Sequence, residues 1–210
     1  MSKIKPAFTL AEVLITLGVI GVVAAMTMPV LIQNYQKNLI ATRLKHYSSV
    51  LQQAAAQRDK DIIEGNFVEM KADEVAAYNP DDMENFYNTY WRPYIKTLSL
   101  KKLERGILVE YANGTGAYFQ RVAVCEPTVG CSSHIVFCPE YKWCKDIDKE
   151  NAASNTDGKH TFAFWTEGTV PRRTGITREQ LLNSCKSSNK YLCSSLIEYD
   201  GWEIKDDYPW

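Results

Sequence analysis

Neither sign of charge dominates this chain: 24 Lys and Arg stand against 25 Asp and Glu, a formal charge of −1 over 210 residues. A chain so balanced has no polybasic face to neutralise phosphates or to grip an anionic membrane, so nucleic acid is not an expected partner. The local signatures of catalysis are missing as well: there is no GxSxG elbow, no HExxH, no phosphate loop and no GxGxxG. Only three histidines occur, His46, His134 and His160, without a nucleophile or carboxylate constellation around them, which points to surface or packing roles. The expectation is a protein that is not an enzyme and needs no cofactor. Cysteine is absent from the first 124 residues, and no CxxC pair of the kind structural zinc sites use occurs anywhere. Cys131, His134, Cys138 and Cys144 are the one grouping a zinc ion could use.

Against these absences stands one dense feature. From Val13 to Ile32 there is no charged residue, and only Thr16 and Thr27 carry polar side chains. At about 1.5 Å per residue a helix of that length spans roughly 30 Å, the thickness of a bilayer's hydrocarbon. Six cysteines, Cys125, Cys131, Cys138, Cys144, Cys185 and Cys193, lie in the C-terminal half. Clustered in a chain with such a segment, they imply disulfides formed outside the cytoplasm. Their connectivity is open, except that Cys185 and Cys193 close a short polar loop and form the preferred local bridge.

Upstream sits MSKIKPA, with Lys3 and Lys5 and no acid, which keeps the N-terminus cytoplasmic and sends the remainder across. A secretory signal peptide cut after Ala25, or an uncleaved signal anchor, accounts for the leader and the apolar run. Neither explains Glu12. A carboxylate in hydrocarbon costs roughly 2.5–3.5 kcal/mol on insertion scales, so it calls for the interface or a cation. Cleavage between Ala7 and Phe8 creates such a cation, an α-amino group on Phe8 about one helical turn from Glu12. In staggered packing, Glu12 of one copy meets the amine of the next, and a shifted register loses the pair.

Lys5-Pro6-Ala7 followed by Phe8-Thr9-Leu10-Ala11-Glu12-Val13-Leu14-Ile15 and a long apolar helix resembles the cleavage and methylation segment of type IV prepilins and of type II secretion pseudopilins. The resemblance covers about the first 35 residues. It implies a leader, residues 1–7, removed by an inner-membrane prepilin peptidase that methylates Phe8. It implies an assembly helix over residues 8–32 with Glu12 as assembly residue, and a periplasmic or extracellular head over residues 33–210. The partners it implies are other copies of the chain or related pilins in a helical filament, the peptidase and an inner-membrane assembly platform. Ala7 departs from the family pattern, which most often has Gly there. Gly21 and Pro29 are the positions where the helix could stretch or melt on leaving the bilayer, and Gly18, Gly21 and Ala25 let neighbouring helices approach. Localisation follows: a single-pass inner-membrane protein with its C-terminal domain outside, then a filament. A competing reading is a monomeric binding or adhesion domain on an uncleaved anchor.

Beyond Ile32, the spacing of Ile40, Leu44, Tyr47, Leu51, Ala54 and Ala55 continues the helix to about Lys60 with one face for packing, and Glu64-Gly65-Asn66 ends it. Asn79-Pro80-Asp81-Asp82 starts a second helix that stops near Arg92-Pro93. Residues 106–111 and 117–124 flank Asn113-Gly114-Thr115-Gly116 as a hairpin, and residues 161–165 form a third strand leading by a turn to a short one at Val170. The stretch 125–160 reads as a disulfide-clamped hydrophilic loop, and the tail 200–210 as a closing strand whose Trp packs on the sheet. A long helix followed by an antiparallel sheet is an α+β architecture, and the resemblance makes it a pilin-like fold. Asp146, Asp148 and Asp157, with Glu150, have the alternating acid spacing of calcium loops, which some pseudopilins use, but lack the Gly and terminal Glu of such a loop. A solvated acidic turn is the preferred reading.

Overall fold

The computed structural model describes residues 9–66, 79–121, 134–145, 147, 156–165, 170, 175–187 and 190–210. Two contact units divide the chain, Met1–Leu39 and Ile40–Trp210. Helix α1, Leu10–Ile63, is 54 residues long and contributes to both. It ends as Glu64-Gly65-Asn66 predicts: the Asn66 N–H donates to the Asp61 carbonyl at 2.9 Å and the Gly65 N–H to that of Ile62 at 3.0 Å, with Gly65 at φ 78°. That six-to-one and five-to-two pair needs a left-handed residue, which glycine adopts without a Cβ clash.

In the second unit, α2 (Pro80–Tyr90) follows and is capped by Asn79, whose side-chain oxygen accepts from the N–H groups of Asp81 and Asp82. Strands β1 (Thr97–Leu103), β2 (Gly106–Tyr111), β3 (Gly116–Arg121), β4 (His134–Cys138) and β5 (Phe162–Trp165) make a five-stranded sheet in chain order. Each adjacent pair is antiparallel. Two small helical additions complete it: α3 (Tyr141–Cys144) follows β4, and α4 (Arg178–Lys186) with α5 (Cys193–Tyr199) follow β5. The architecture is therefore α+β, a long N-terminal apolar helix and an antiparallel sheet.

Alternation along the strands divides the core, since successive side chains point to opposite faces. Ile107, Val109, Tyr111, Ala117, Phe119, Ile135, Phe137, Phe162 and Phe164 join the face that packs with α1 and α2. Leu108, Tyr118, Val136 and Cys138 point the other way, into a smaller cluster with Cys144 and Ile147. The predicted face of α1 is the one buried: Ile40, Leu44, Tyr47, Leu51, Ala54 and Ala55. Tyr47 lies flat on Phe137, ring centroids 3.9 Å apart, and edge-on to Phe164 at 5.1 Å. Tyr87 of α2 meets Phe119 edge-on at 5.1 Å, and the Arg58 guanidinium sits 5.0 Å from the ring centre of buried Trp91, tying α1 to the end of α2. Burial holds the phenols of Tyr47 and Tyr111 well above the ordinary tyrosine range, so both remain protonated and share a 3.3 Å hydrogen bond.

Several expectations are corrected here. Residues 134–144 are not loop: β4 and α3 occupy them, because the short run Ile135-Val136-Phe137 has a buried position on both sheet faces. The tail 200–210 forms no strand. Gly201 and Trp202 both have positive φ, 76° and 66°, a left-handed pair that extended backbone cannot include. Trp202 and Trp210 still pack against the core, half-buried. Val170 is buried but lies in no strand. The proposed strand residues 122–124 fall outside the described residues.

Candidate functional site

The segment singled out by the sequence is the first part of α1. From Leu10 to Tyr35 almost every side chain is exposed: Leu17 is 60% exposed, Ile20 63%, Met26 72% and Leu31 65%. A core helix of similar composition would be covered by its own chain; among the described residues none of this stretch is buried, and it is long and apolar enough to cross a membrane. Its two hydroxyls are satisfied within the helix, Thr16 donating to the Val13 carbonyl and Thr27 to that of Val23, both at 2.9 Å. Pro29 sits inside the helix and cannot donate to the carbonyl of Ala25. Cβ atoms added at Gly18 and Gly21 would meet nothing within 4 Å, so nothing in the chain's own packing requires glycine at either position.

Glu12 occupies the first turn. Its carboxylate accepts from the Thr9 N–H and from the Thr9 hydroxyl, each at 2.8 Å, while the Glu12 N–H donates to Thr9 Oγ1 at 3.3 Å. That reciprocal pair is a capping box, for which Thr9-Leu10-Ala11-Glu12 carries the sequence signature, so Glu12 has a role at the helix start within its own chain. The same signature recurs at Thr177 and Gln180, where it starts α4. Ala7 and Phe8 lie outside the described residues.

Two of the candidate disulfides are present. Cys185 is bonded to Cys193, as the loop spacing predicted, with Cα atoms 4.8 Å apart. Cys138 is bonded to Cys144, with Cα atoms 5.6 Å apart, which removes both sulfurs from the zinc grouping. Cys125 and Cys131 fall outside the described residues. Of the calcium candidates, Asp146 and Asp148 also fall outside them. Asp157 is described: its Oδ1 accepts from the N–H groups of Lys159, His160 and Thr161, and its Oδ2 lies 2.7 Å from His160 Nδ1. Partial burial raises the Asp157 pKa, but these backbone donors outweigh it and hold the group below the usual carboxylate range. Its role is to close a turn. No grouping of three or more His, Cys, Asp or Glu suited to a metal occurs among the described residues.

The C-terminal part of the head is clasped by charge. Arg178 bonds both oxygens of Asp200, at 2.7 and 2.8 Å, and both of Asp207, at 2.8 and 2.9 Å. Asp200, only 4% exposed at its side chain, also accepts from Lys205 at 2.9 Å. The Tyr208 hydroxyl donates to the Gly158 carbonyl at 2.5 Å, and Ser194 to that of Ala163 at 2.7 Å, so tail and α5 are fixed to β5 and the turn before it.

Such a chain defines a class, an α+β head continuous in sequence with an uncovered apolar helix. It belongs to a family of unknown function, DUF6613, whose model matches residues 30–175. The matched span takes in α2 and the whole sheet but begins after most of the apolar segment. No curated protein matches the chain, and neither does any solved structure.

Proposed function

We propose that the chain is a structural subunit of a type IV pilus or a type II secretion pseudopilus, with a pilin-like fold. It enters the inner membrane with its C-terminal head outside, is cut by prepilin peptidase between Ala7 and Phe8, and polymerises through its N-terminal helix. Glu12 then pairs with the methylated amine of Phe8 on an adjacent copy, and an inner-membrane platform drives assembly. With the two leader lysines removed, the formal charge of −1 becomes −3, which does not favour bulk nucleic-acid binding.

The observation that carries this reading is the uncovered apolar segment. Its side chains need lipid or other helices as neighbours, because water is the most costly environment for them. Gly18 and Gly21 fit the second of these: each costs a helix about 1 kcal/mol relative to Ala. A close-packed neighbouring helix would use the space that the chain itself leaves empty beside them. The buried continuation of α1 against an antiparallel sheet is the layout the resemblance leads one to expect.

Recovery of filaments tests the polymer directly. Shearing cells, or extracting the envelope and sedimenting large assemblies, should place the chain in the high-mass fraction with thin filaments visible by electron microscopy. A chain found solely as a detergent-soluble monomer would favour the competing reading, a head tethered for ligand binding.

A further inference from the structure

The tip of the hairpin between β2 and β3 carries a triplet that filament assembly does not use. Asn113-Gly114-Thr115 is the one Asn-x-Ser/Thr triplet among the 210 residues. Such a triplet is the acceptor pattern for N-linked glycan on exported chains. Its chemistry requires an accessible asparagine amide, a hydroxyl in reach of that amide, and room for a bulky product.

The hairpin meets each requirement. Ala112, Asn113 and Gly114 are exposed, while Tyr111 and Thr115 at the ends of the turn are buried. The backbone between them is held in place: the Tyr111 N–H donates to the Thr115 carbonyl at 2.9 Å, the Gly114 N–H to that of Tyr111 at 3.0 Å, and the Tyr141 N–H to that of Gly114 at 2.9 Å. Gly114 has φ 78°, the left-handed conformation that this reversal needs. A Cβ built on it would meet nothing within 4 Å, so the space next to Asn113 is open.

The Asn113 side chain is oriented as well as exposed. Its Oδ1 accepts from the Thr115 N–H at 3.1 Å and from the Thr115 hydroxyl at 2.7 Å, while its Nδ2 has no partner among the described residues. When an amide nitrogen gives up a proton, most of the resulting negative charge gathers on its oxygen. Donors already aimed at that oxygen favour the step without further rearrangement. An Asn-Gly pair by itself is enough to make a tight turn; the hydroxyl two positions on is the part that the turn does not need.

We infer that Asn113 is an N-glycosylation site whose donor substrate is an oligosaccharide carried on a lipid diphosphate. Nδ2 gives one proton to a base of the transferase and bonds to C1 of the first sugar. The bond from C1 to the diphosphate oxygen breaks, and the lipid diphosphate leaves with that electron pair. The inference rests on the proposed placement of the head outside the cytoplasm.

The test is mass spectrometry of the peptide that contains Asn113, from native membrane-extracted protein, with protease accessibility of the head in spheroplasts measured alongside. A glycan-sized mass gain on Asn113 is the expected result. Asn113→Asp keeps the oxygen that Thr115 bonds but has no amide nitrogen, so it should lose the gain with unchanged circular dichroism. Thr115→Ser keeps the hydroxyl and should retain the gain; Thr115→Val should lose it. An unmodified Asn113 overturns the inference, as does a gain that Thr115→Val leaves undiminished. A one-unit mass gain alone also overturns it and assigns the turn to deamidation at Asn113-Gly114. Where Asn113 is unmodified, a head that protease reaches leaves the proposed topology standing, whereas a protected head means that the topology has failed too.

Discussion

Glu12 has one role within its own chain, and the proposed assembly would give it a second. The capping box explains why a carboxylate favours the first turn of α1, and it would operate in a lone chain. The proposed assembly would ask more of it, a negative charge for a neighbouring amine. Glutamine separates the two, because it accepts the same cap hydrogen bonds but carries no charge. Glu12→Gln is therefore expected to leave insertion, head folding and helix content unchanged and to reduce incorporation into filaments at least tenfold, read by quantitative immunoblotting of sheared material. Wild-type incorporation by the glutamine variant would reduce Glu12 to a cap. The Thr-x-x-Glu signature of that cap is legible in the sequence itself.

A second residue, Asp200, contributes to the acid sensitivity of the head. Burial raises its pKa, but hydrogen bonds from Arg178 and Lys205 outweigh that and leave it below the ordinary carboxylate value. Asp61, Asp157 and Asp207 are shifted in the same direction. A group with a depressed folded-state pKa adds stability above its unfolded value, about 4, and loses it as pH falls through the folded value. The melting temperature of the head should then hold from neutrality to about pH 4 and drop below it. Asp200→Asn should lower stability at neutral pH and make that acid drop shallower. An identical acid profile in the variant would deny Asp200 this role.

Elements differ in how plainly the sequence displays them, and the reasons are physical. The hairpin of β2 and β3 was legible because alternating apolar residues flank Asn113-Gly114, and α2 because Asn79 and Pro80 sit where a helix must start. Strand β1 was not, since Thr97–Leu103 is an edge strand, largely half-buried or exposed, with lysines where alternation would be sought. Strand β4 is a short apolar run hidden among cysteines. Helices α4 and α5 are too short for periodicity to emerge; the Thr177 capping box was the available sign of the first. What holds that helical pair is the bridge between Cys185 and Cys193 together with the Arg178 clasp. Replacing both cysteines with serine should cost about 2–3 kcal/mol for a loop of this length and lower the melting temperature by about 5–10 °C. Limited proteolysis should then cut first near residues 185–193. Unchanged melting and cleavage would mean the clasp alone secures the pair.

At the scale of the molecule, the chain combines a head whose core is closed with a helix whose surface is open. The head's interior is complete in itself: aromatic residues of α1, α2 and four strands interlock around Tyr47 and Phe119. Among the described residues the apolar segment has no such closure. Both halves were anticipated from hydrophobic patterning, which is strongest where a segment is long and uninterrupted. Composition and patterning give no direct sign of the Arg178 clasp, because it depends on residues far apart in sequence that folding brings together. The reading of the whole as a polymer subunit rests on what happens at one peptide bond, between Ala7 and Phe8. Intact mass and N-terminal sequencing of the native, membrane-extracted protein measure that bond most directly. The account predicts a chain that starts at N-methylated Phe8; a chain that retains Met1, or starts at Met26, would contradict it.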